Sequence, residues 1–241
     1  MHLFYTPGIS GDSHVLDEQE SRHAIRVLRL GRGDQVILVD GVGGWYEAVI
    51  LEDHPKTCRL GIRSRTAGYK ALPYHLHIAM APTKNMDRFE WFLEKATEIG
   101  ISEITPLICH RSERSRVNQE RLERILVSAM KQSFRAYKPV LHIPVNFGDF
   151  IAEPREGTRG IAHCIPEPEG SLTPRTALTA FPRSNAYTML VGPEGDFTEE
   201  EVQKALASDF LPFHLGEARM RTETAGVFIC ASLNILSQSS L

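Results

Sequence analysis

Residues Leu190–Thr198 read LVGPEGDFT, and the fold turns on how this stretch is read. An apolar run, Tyr187–Val191, stops abruptly at Gly192-Pro193-Glu194-Gly195, and Thr198-Glu199-Glu200-Glu201 follows at once. A short apolar run bounded by glycine and proline predicts a fully buried strand. A threonine with a glutamate three residues later is a capping box, so Thr198 is assigned to the helix over 198–209 rather than to a ligand. Strand, tight loop and helix in succession are the unit of a parallel α/β sheet. Proline fixes its own φ and restricts Gly192 before it, while glycine lets a ligand approach the backbone closely. Such a loop is preset for binding.

Working outward, the same alternation holds from about residue 74 to the end. Strands are predicted at 76–81, 103–108, 140–145, 160–164, 187–191 and 212–215. Asn85 caps a helix whose Met86, Phe89, Leu93 and Ala96 share one face, and Gly100 closes it. Asn118 starts another, with Leu122, Ile125, Leu126, Ala129 and Ser133 inward. Residues 166–185 read as irregular, with one helical turn after Pro174, and 222–238 as a largely apolar closing helix. The sheet is expected to be mostly parallel and covered on both faces. Residues 1–68 differ: a helix from the Asp17 cap to about Leu28, then short strands at 35–40, 45–51 and 58–65 separated by glycine turns. That texture suggests a small β-barrel, joined through a linker at 69–73 to a second domain at 74–241.

The chain has 241 residues and a formal net charge of −3, so global charge predicts no polyanion partner and any nucleic-acid contact must come from a local basic patch. Four cysteines stand far apart without metal spacing, and the ten histidines show no clustered zinc pattern, so no metal site is expected. Separated cysteines with no secretory leader point to a reduced, cytoplasmic compartment, and no apolar run is long enough to span a membrane.

Ligands of open parallel sheets bind beyond the carboxyl ends of strands. Two glycine loops lie there: Gly192–Gly195, and Gly216-Glu217-Ala218-Arg219-Met220-Arg221-Thr222-Glu223-Thr224-Ala225. Three glutamates in the first turn after the first loop argue against a phosphate at that helix start. Neither a P-loop nor a G-x-G-x-x-G fingerprint is present. Capping alone needs one threonine, not Arg221, Thr222, Glu223 and Thr224 together.

"GPEGDFTEEE" with "LGEARMRTETAG" resembles the SPOUT class of methyltransferases, and more narrowly the RsmE family, which methylates N3 of a uridine in 16S ribosomal RNA. "HAIRVLRLGRGDQV" is similar to that family's PUA-like RNA-binding domain, and "EKATEIGISEITPLICHRSER" and "MKQSFRAYKP" to its catalytic domain. The resemblance implies an α/β SPOUT domain with a carboxy-terminal trefoil knot, an S-adenosyl-L-methionine pocket and a homodimer formed around the knot. It implies cofactor contacts from Leu190, Val191, Gly192, Pro193, Glu194 and Gly195 on one wall. On the other it implies Leu215, Gly216 and Met220, with Thr222, Thr224 and Ala225 beside them. Adenine would be read by backbone and apolar groups, and acidic residues suit a cationic sulfonium. Many relatives carry glycine where Asp196 stands, a turn position that Asp tolerates less freely. Many also read a basic pair and Ile-Leu-Arg where Glu217-Ala218-Arg219-Met220-Arg221 stands here.

Arg22, Arg26 and Arg29 are spaced four and three apart, so they are expected on one helical face, with Arg32 in the following turn. This patch is a candidate RNA grip, as is the second basic run Arg111, Arg114 and Arg116, whose alternative is ion pairing with Glu113 and Glu120. For methyl transfer to uracil N3, negative charge develops on O2 and O4, and a guanidinium aimed there stabilises the transition state. Arg221 is the first candidate, with Arg111 behind it, and Glu223 is placed to orient that arginine or take the proton. Phe228, Ile229, Leu233 and Leu236 are expected to pack the last helix on the sheet, leaving Val227 and Ile235 for a subunit interface. A ribose 2′-O methyltransferase and a non-catalytic RNA-binding assembly factor are the alternative readings.

Overall fold

The computed structural model describes residues 1–166 and 174–238, so the expected irregular stretch over 166–185 falls partly outside the described residues. The chain divides into two compact units, Met1–Ala71 with Val127–Lys138, and Leu72–Leu126 with Pro139–Leu241.

The first unit holds β1 (Leu3–Tyr5), β2 (Ser13–Val15), α1 (Glu18–Arg22), β3 (Gln35–Val39), β4 (Trp45–Glu52) and β5 (Arg59–Thr66). The strands form one curled sheet in the order β1-β3-β4-β5-β2, with β1 parallel to β3 and the remaining pairs antiparallel. Alternation along β3 sorts its side chains. Val36 and Leu38 join Phe4, Ala48, Ile50 and Leu60 on one face, while Ile37 and Val39 join Leu3, Trp45, Met130 and Ala136 on the other. Part of the MKQSFRAYKP stretch thus belongs to this unit. β1 and β2 escape the sequence reading because they are three residues long, too short to show a period.

Asp17 caps α1 as expected, accepting from the Glu20 backbone N–H at 2.7 Å, but the Glu20 carboxylate reaches Lys131 at 2.5 Å. The helix then widens into a π-helical turn over His23–Val27, with Leu28 N–H donating to His23 C=O. Arg29 lies past its end in the left-handed region, φ 57°. Arg22, Arg26, Arg29 and Arg32 are all exposed, yet they do not share one α-helical face, because the widened turn changes the period and the helix ends before Arg29. Arg22 pairs with Glu18 at 2.7 Å.

The second unit is α/β. β6 (His75–Met80), α2 (Met86–Ile99) and β7 (Glu103–Ile108) come first. They are followed by α3 (Gln119–Gln132), whose residues from Val127 on belong to the first unit, then β8 (Val140–Leu141), β9 (Val145–Asn146) and α4 (Phe147–Ala152). β10 (Thr158–Ala162), β11 (Thr176–Ala177), β12 (Ala186–Val191), α5 (Glu199–Ala207), β13 (Leu211–His214) and α6 (Thr222–Gln238) complete it. Every strand pair is parallel, in the order β11-β13-β10-β12-β6-β7-β8, with β9 added on β7. Alternation splits the core. Leu76, Ile78, Met80, Met189 and Val191 pack under α2 and α6, whereas Ala79, Ile161 and Leu190 pack under α4 and α5 with Phe150, Phe197 and Val202. The expected strand over 140–145 is broken in two around Pro144, which has no N–H to donate to a ladder.

Asn85 caps α2 through the Asp87 N–H at 3.0 Å, and Gly100 ends it at φ 124°. In α6 Ile229 and Leu233 are buried, but Phe228 is 41% exposed and does not pack on the sheet. Gly226 takes the inner position in its place, so close to Phe92 that a Cβ would stand 2.6 Å from the ring. Phe228 falls two residues further round the helix and points out with Arg221, Thr224 and Ile235.

Candidate functional site

All strands of the second unit run in one direction, so the loops after β10, β12 and β13 emerge at one sheet edge. They surround a cavity of about 410 Å³. Its walls are Val191, Gly192, Pro193, Glu194 and Asp196 after β12, and Leu215, Gly216, Glu217, Ala218, Arg219 and Met220 after β13. Thr222 and Ala225 at the start of α6 close one end, and Ala162, His163, Cys164 and Arg175 the other, with Phe213 and His214 between.

The first loop is held rigidly from behind. Asp196 N–H donates to Pro193 C=O at 2.9 Å, closing a turn with Glu194 and Gly195 at its tip. The Glu194 carboxylate accepts from Lys84 N–H at 2.9 Å, and its carbonyl from Arg219 at 3.3 Å. Thr222 Oγ1 donates to Gly192 C=O at 3.1 Å, tying the two loops together. A side chain at Gly192 would stand 3.1 Å from the Phe197 ring, so this glycine also serves internal packing. Asp196 is in the left-handed region, φ 64°. Its carboxylate meets the demand locally, accepting from Phe197 N–H at 2.8 Å and Cys164 N–H at 2.7 Å. The α5 capping box is complete: Thr198 and Glu201 bond reciprocally, and Glu201 also accepts from His110 N–H at 2.8 Å.

The profile of the RNA methyltransferase domain matches residues 70–234, and that of the RNA methyltransferase PUA domain residues 16–63. The chain is 31% identical to the ribosomal RNA small subunit methyltransferase E of Synechocystis sp., over 89% of this chain and 70% of the relative. This chain belongs to the ribosomal RNA small subunit methyltransferase E family of RNA methyltransferases. A solved structure of a probable rRNA methyltransferase from Porphyromonas gingivalis superposes with a TM-score of 0.91 at 38% identity, covering 100% of both chains. The family's Neisseria gonorrhoeae enzyme, solved bound to S-adenosyl methionine, superposes at 0.87 with 26% identity over 98% of each chain.

In this methyltransferase family member, most of the residues expected around the cofactor line the cavity, and three do not. Leu190 is wholly buried on the opposite sheet face from Val191, as strand alternation requires. Gly195 sits at the turn tip against Arg111, and Thr224 is exposed on the outer face of α6. The wall from Ala162, His163 and Cys164 escapes the sequence reading. β10 lies between β12 and β13, and strand order is not written in any local pattern.

Arg111 stands outside the cavity lining as a clamp, donating to Gly195 C=O at 2.8 Å and Phe197 C=O at 3.2 Å. Arg114 donates to Lys84 C=O at 3.0 Å, and Glu113 pairs with Lys84 rather than with an arginine. Arg116 is exposed. The Arg221 guanidinium is exposed and makes no hydrogen bond or ion pair with the described residues. Glu223 is buried and does not orient Arg221. Its Oε1 lies 3.8 Å from Arg88 Nε and its Oε2 has no partner among the described residues. Positions two apart on a helix face different ways, which separates the two side chains.

Proposed function

We propose that the cavity binds S-adenosyl-L-methionine and that the chain transfers its methyl group to N3 of a uridine in 16S ribosomal RNA. The observation that carries the reading is the cavity itself, closed by two tied loops that offer backbone groups, apolar side chains and the acids Glu194, Asp196 and Glu217, while its arginines donate to carbonyls, Arg219 to Glu194 and Arg175 to His163. Such a lining suits an adenosine with a cationic sulfonium. The trefoil knot belongs to the same reading, supported by the bonds that seat residues 219–222 against residues 192–194.

The cofactor supplies an electrophilic methyl group. Uracil N3 would take that methyl, with the thioether S-adenosyl-L-homocysteine as leaving group and the N3 proton passing to water, and the charge developing on O2 and O4 would be met by Arg221, the exposed guanidinium that follows the cavity-lining Met220 in sequence and makes no bond with the described residues. Arg111 positions the cofactor loop. Exposed Arg26, Arg29 and Arg32, with the Arg22–Glu18 pair, grip RNA phosphates from the PUA-like unit, as Arg114 and Arg116 do in the catalytic unit. Among the described residues no helix is long and apolar enough to cross a membrane, and a ribosomal RNA substrate supports a cytoplasmic location. Ile235, 63% exposed on α6, stays in the homodimer face and Phe228, 41% exposed, joins it, whereas Val227 packs against the core.

Calorimetry with S-adenosyl-L-methionine and nucleoside mass mapping of 16S rRNA from a deletion strain test the reading. Binding at the cavity with loss of one N3-methyluridine is expected. No binding supports the non-catalytic factor instead, and loss of a ribose methyl supports 2′-O chemistry.

A further inference from the structure

At the sheet edge opposite the cavity, strand register assembles four chemistry-bearing side chains that are scattered in sequence. His77 on β6 is in register with Glu103 on β7, and His75 lies two residues before it on the same face. Val140 on β8 pairs with Glu103, and the chain continues in extended register, His142 N–H donating to Ile104 C=O at 2.9 Å. His142 therefore projects to the face that carries His75, His77 and Glu103. The His142 Nε2 lies 2.5 Å from Glu103 Oε2, and the His75 Nε2 2.9 Å from Glu103 Oε1. The His77 Nδ1 stands 3.6 Å from Glu103 Oε2, beyond hydrogen-bond range. One ligand atom from each of His77, Glu103 and His142 lies within 4.8 Å of the others.

We propose that His77, Glu103 and His142 bind one divalent transition-metal ion of the zinc class, with His75 holding the other oxygen of the Glu103 carboxylate. Two imidazoles and one carboxylate are a borderline N/O set suited to zinc. Tetrahedral bonds of about 2.0–2.2 Å separate ligand atoms by roughly 3.3–3.6 Å. The observed spread needs only small side-chain rotations to reach that. A second sphere is present. The Thr105 hydroxyl lies 2.8 Å from His77 Nε2, the contact that aims the other ring nitrogen inward. The Phe150 ring packs edge-on against His77 at 5.4 Å, walling the site with apolar surface. Arg155 packs over the Phe150 ring at 3.9 Å and pairs with Glu153 at 2.7 Å. The ion ties β6 and β7 to the segment after β8, so its role is structural.

The test uses the untagged full chain, stripped with a chelator and dialysed, then titrated with Zn²⁺ against a chromogenic chelator and with Co²⁺ in the visible. One ion per chain is expected, with cobalt d–d bands of a low-symmetry nitrogen–oxygen site and a raised Tm. Glu103→Gln and His142→Gln, both at the partly exposed side of the site, should each weaken binding by at least about tenfold. The wild-type cobalt spectrum needs no variant, so it decides even if both variants fold poorly. Absence of stoichiometric binding overturns the proposal and leaves Glu103 as a shared hydrogen-bond acceptor. Equal binding by the wild type and both variants overturns it too, assigning the ion to surface histidines.

Discussion

Arg111 Nη1 donates to the Gly195 carbonyl at 2.8 Å from a loop 84 residues earlier in the chain. A side chain suited by type to catalysis is thereby occupied in shaping the first cavity loop. Arg111→Ala removes charge-assisted bonds worth about 1–2 kcal/mol at an exposed site, which raises the Kd for S-adenosyl-L-methionine roughly 5–30-fold. The single-turnover rate at saturating cofactor should stay within about threefold, since no bond formed only in the transition state is lost. Calorimetry and rapid quench separate the two; a collapsed rate with unchanged Kd would refute the clamp.

Arg221 should show the reverse. Losing a donor aimed at developing oxyanion charge costs about 10²–10³ in rate. Arg221→Ala is expected to slow transfer by that factor while cofactor Kd stays nearly constant. A rate that barely moves in single-turnover assays removes Arg221 from the mechanism.

Asp196 combines φ 64° with two backbone hydrogen bonds. Asp196→Ala keeps the strain and loses both bonds, whereas Asp196→Gly loses the bonds but relieves the backbone. Alanine should therefore be the worse substitution by about 1 kcal/mol. Urea melts of both variants check the order, and a glycine variant less stable than the alanine one contradicts it.

Among the free cysteines only Cys164 is exposed, and it lines the cavity. Burial pushes the thiols of Cys58, Cys109 and Cys230 above their ordinary range, so they present little thiolate. Iodoacetamide at pH 8 should modify Cys164 first, and S-adenosyl-L-methionine should protect it. Peptide mass spectrometry reads both; labelling unaffected by cofactor argues that the ligand sits elsewhere.

Glu223 is buried, with Arg88 as its cationic partner at 3.8 Å. Arg88→Met leaves the carboxylate without that charge and should cost about 1–2 kcal/mol, discounted for the exposure of Arg88. Adding Glu223→Gln should recover much of the loss. Denaturant midpoints of the single and double variants test this coupling, and strictly additive losses reject it.

The sequence by itself determined every element whose signal is local. Periodic apolar spacing marked α2 and α3, and a long apolar stretch marked α6; Asn85 and Gly100 marked the ends of α2 and the Thr198–Glu201 box the start of α5; and apolar runs between turn residues marked β6, β7 and β12. Both cofactor loops were legible because glycine and proline leave a backbone requirement in the letters themselves. Tertiary structure decided what depends on neighbours remote in the chain. Strand order put β10 between β12 and β13 and so brought His163 and Cys164 to the cavity. Inter-loop contact turned Arg111 into a clamp, and close packing at Gly226 turned Phe228 outward. Parallel register gathered His77, Glu103 and His142 from histidines that show no spacing pattern. Local propensity acts over a few residues, whereas these arrangements arise from packing energies between segments tens of residues apart, which no window of sequence contains.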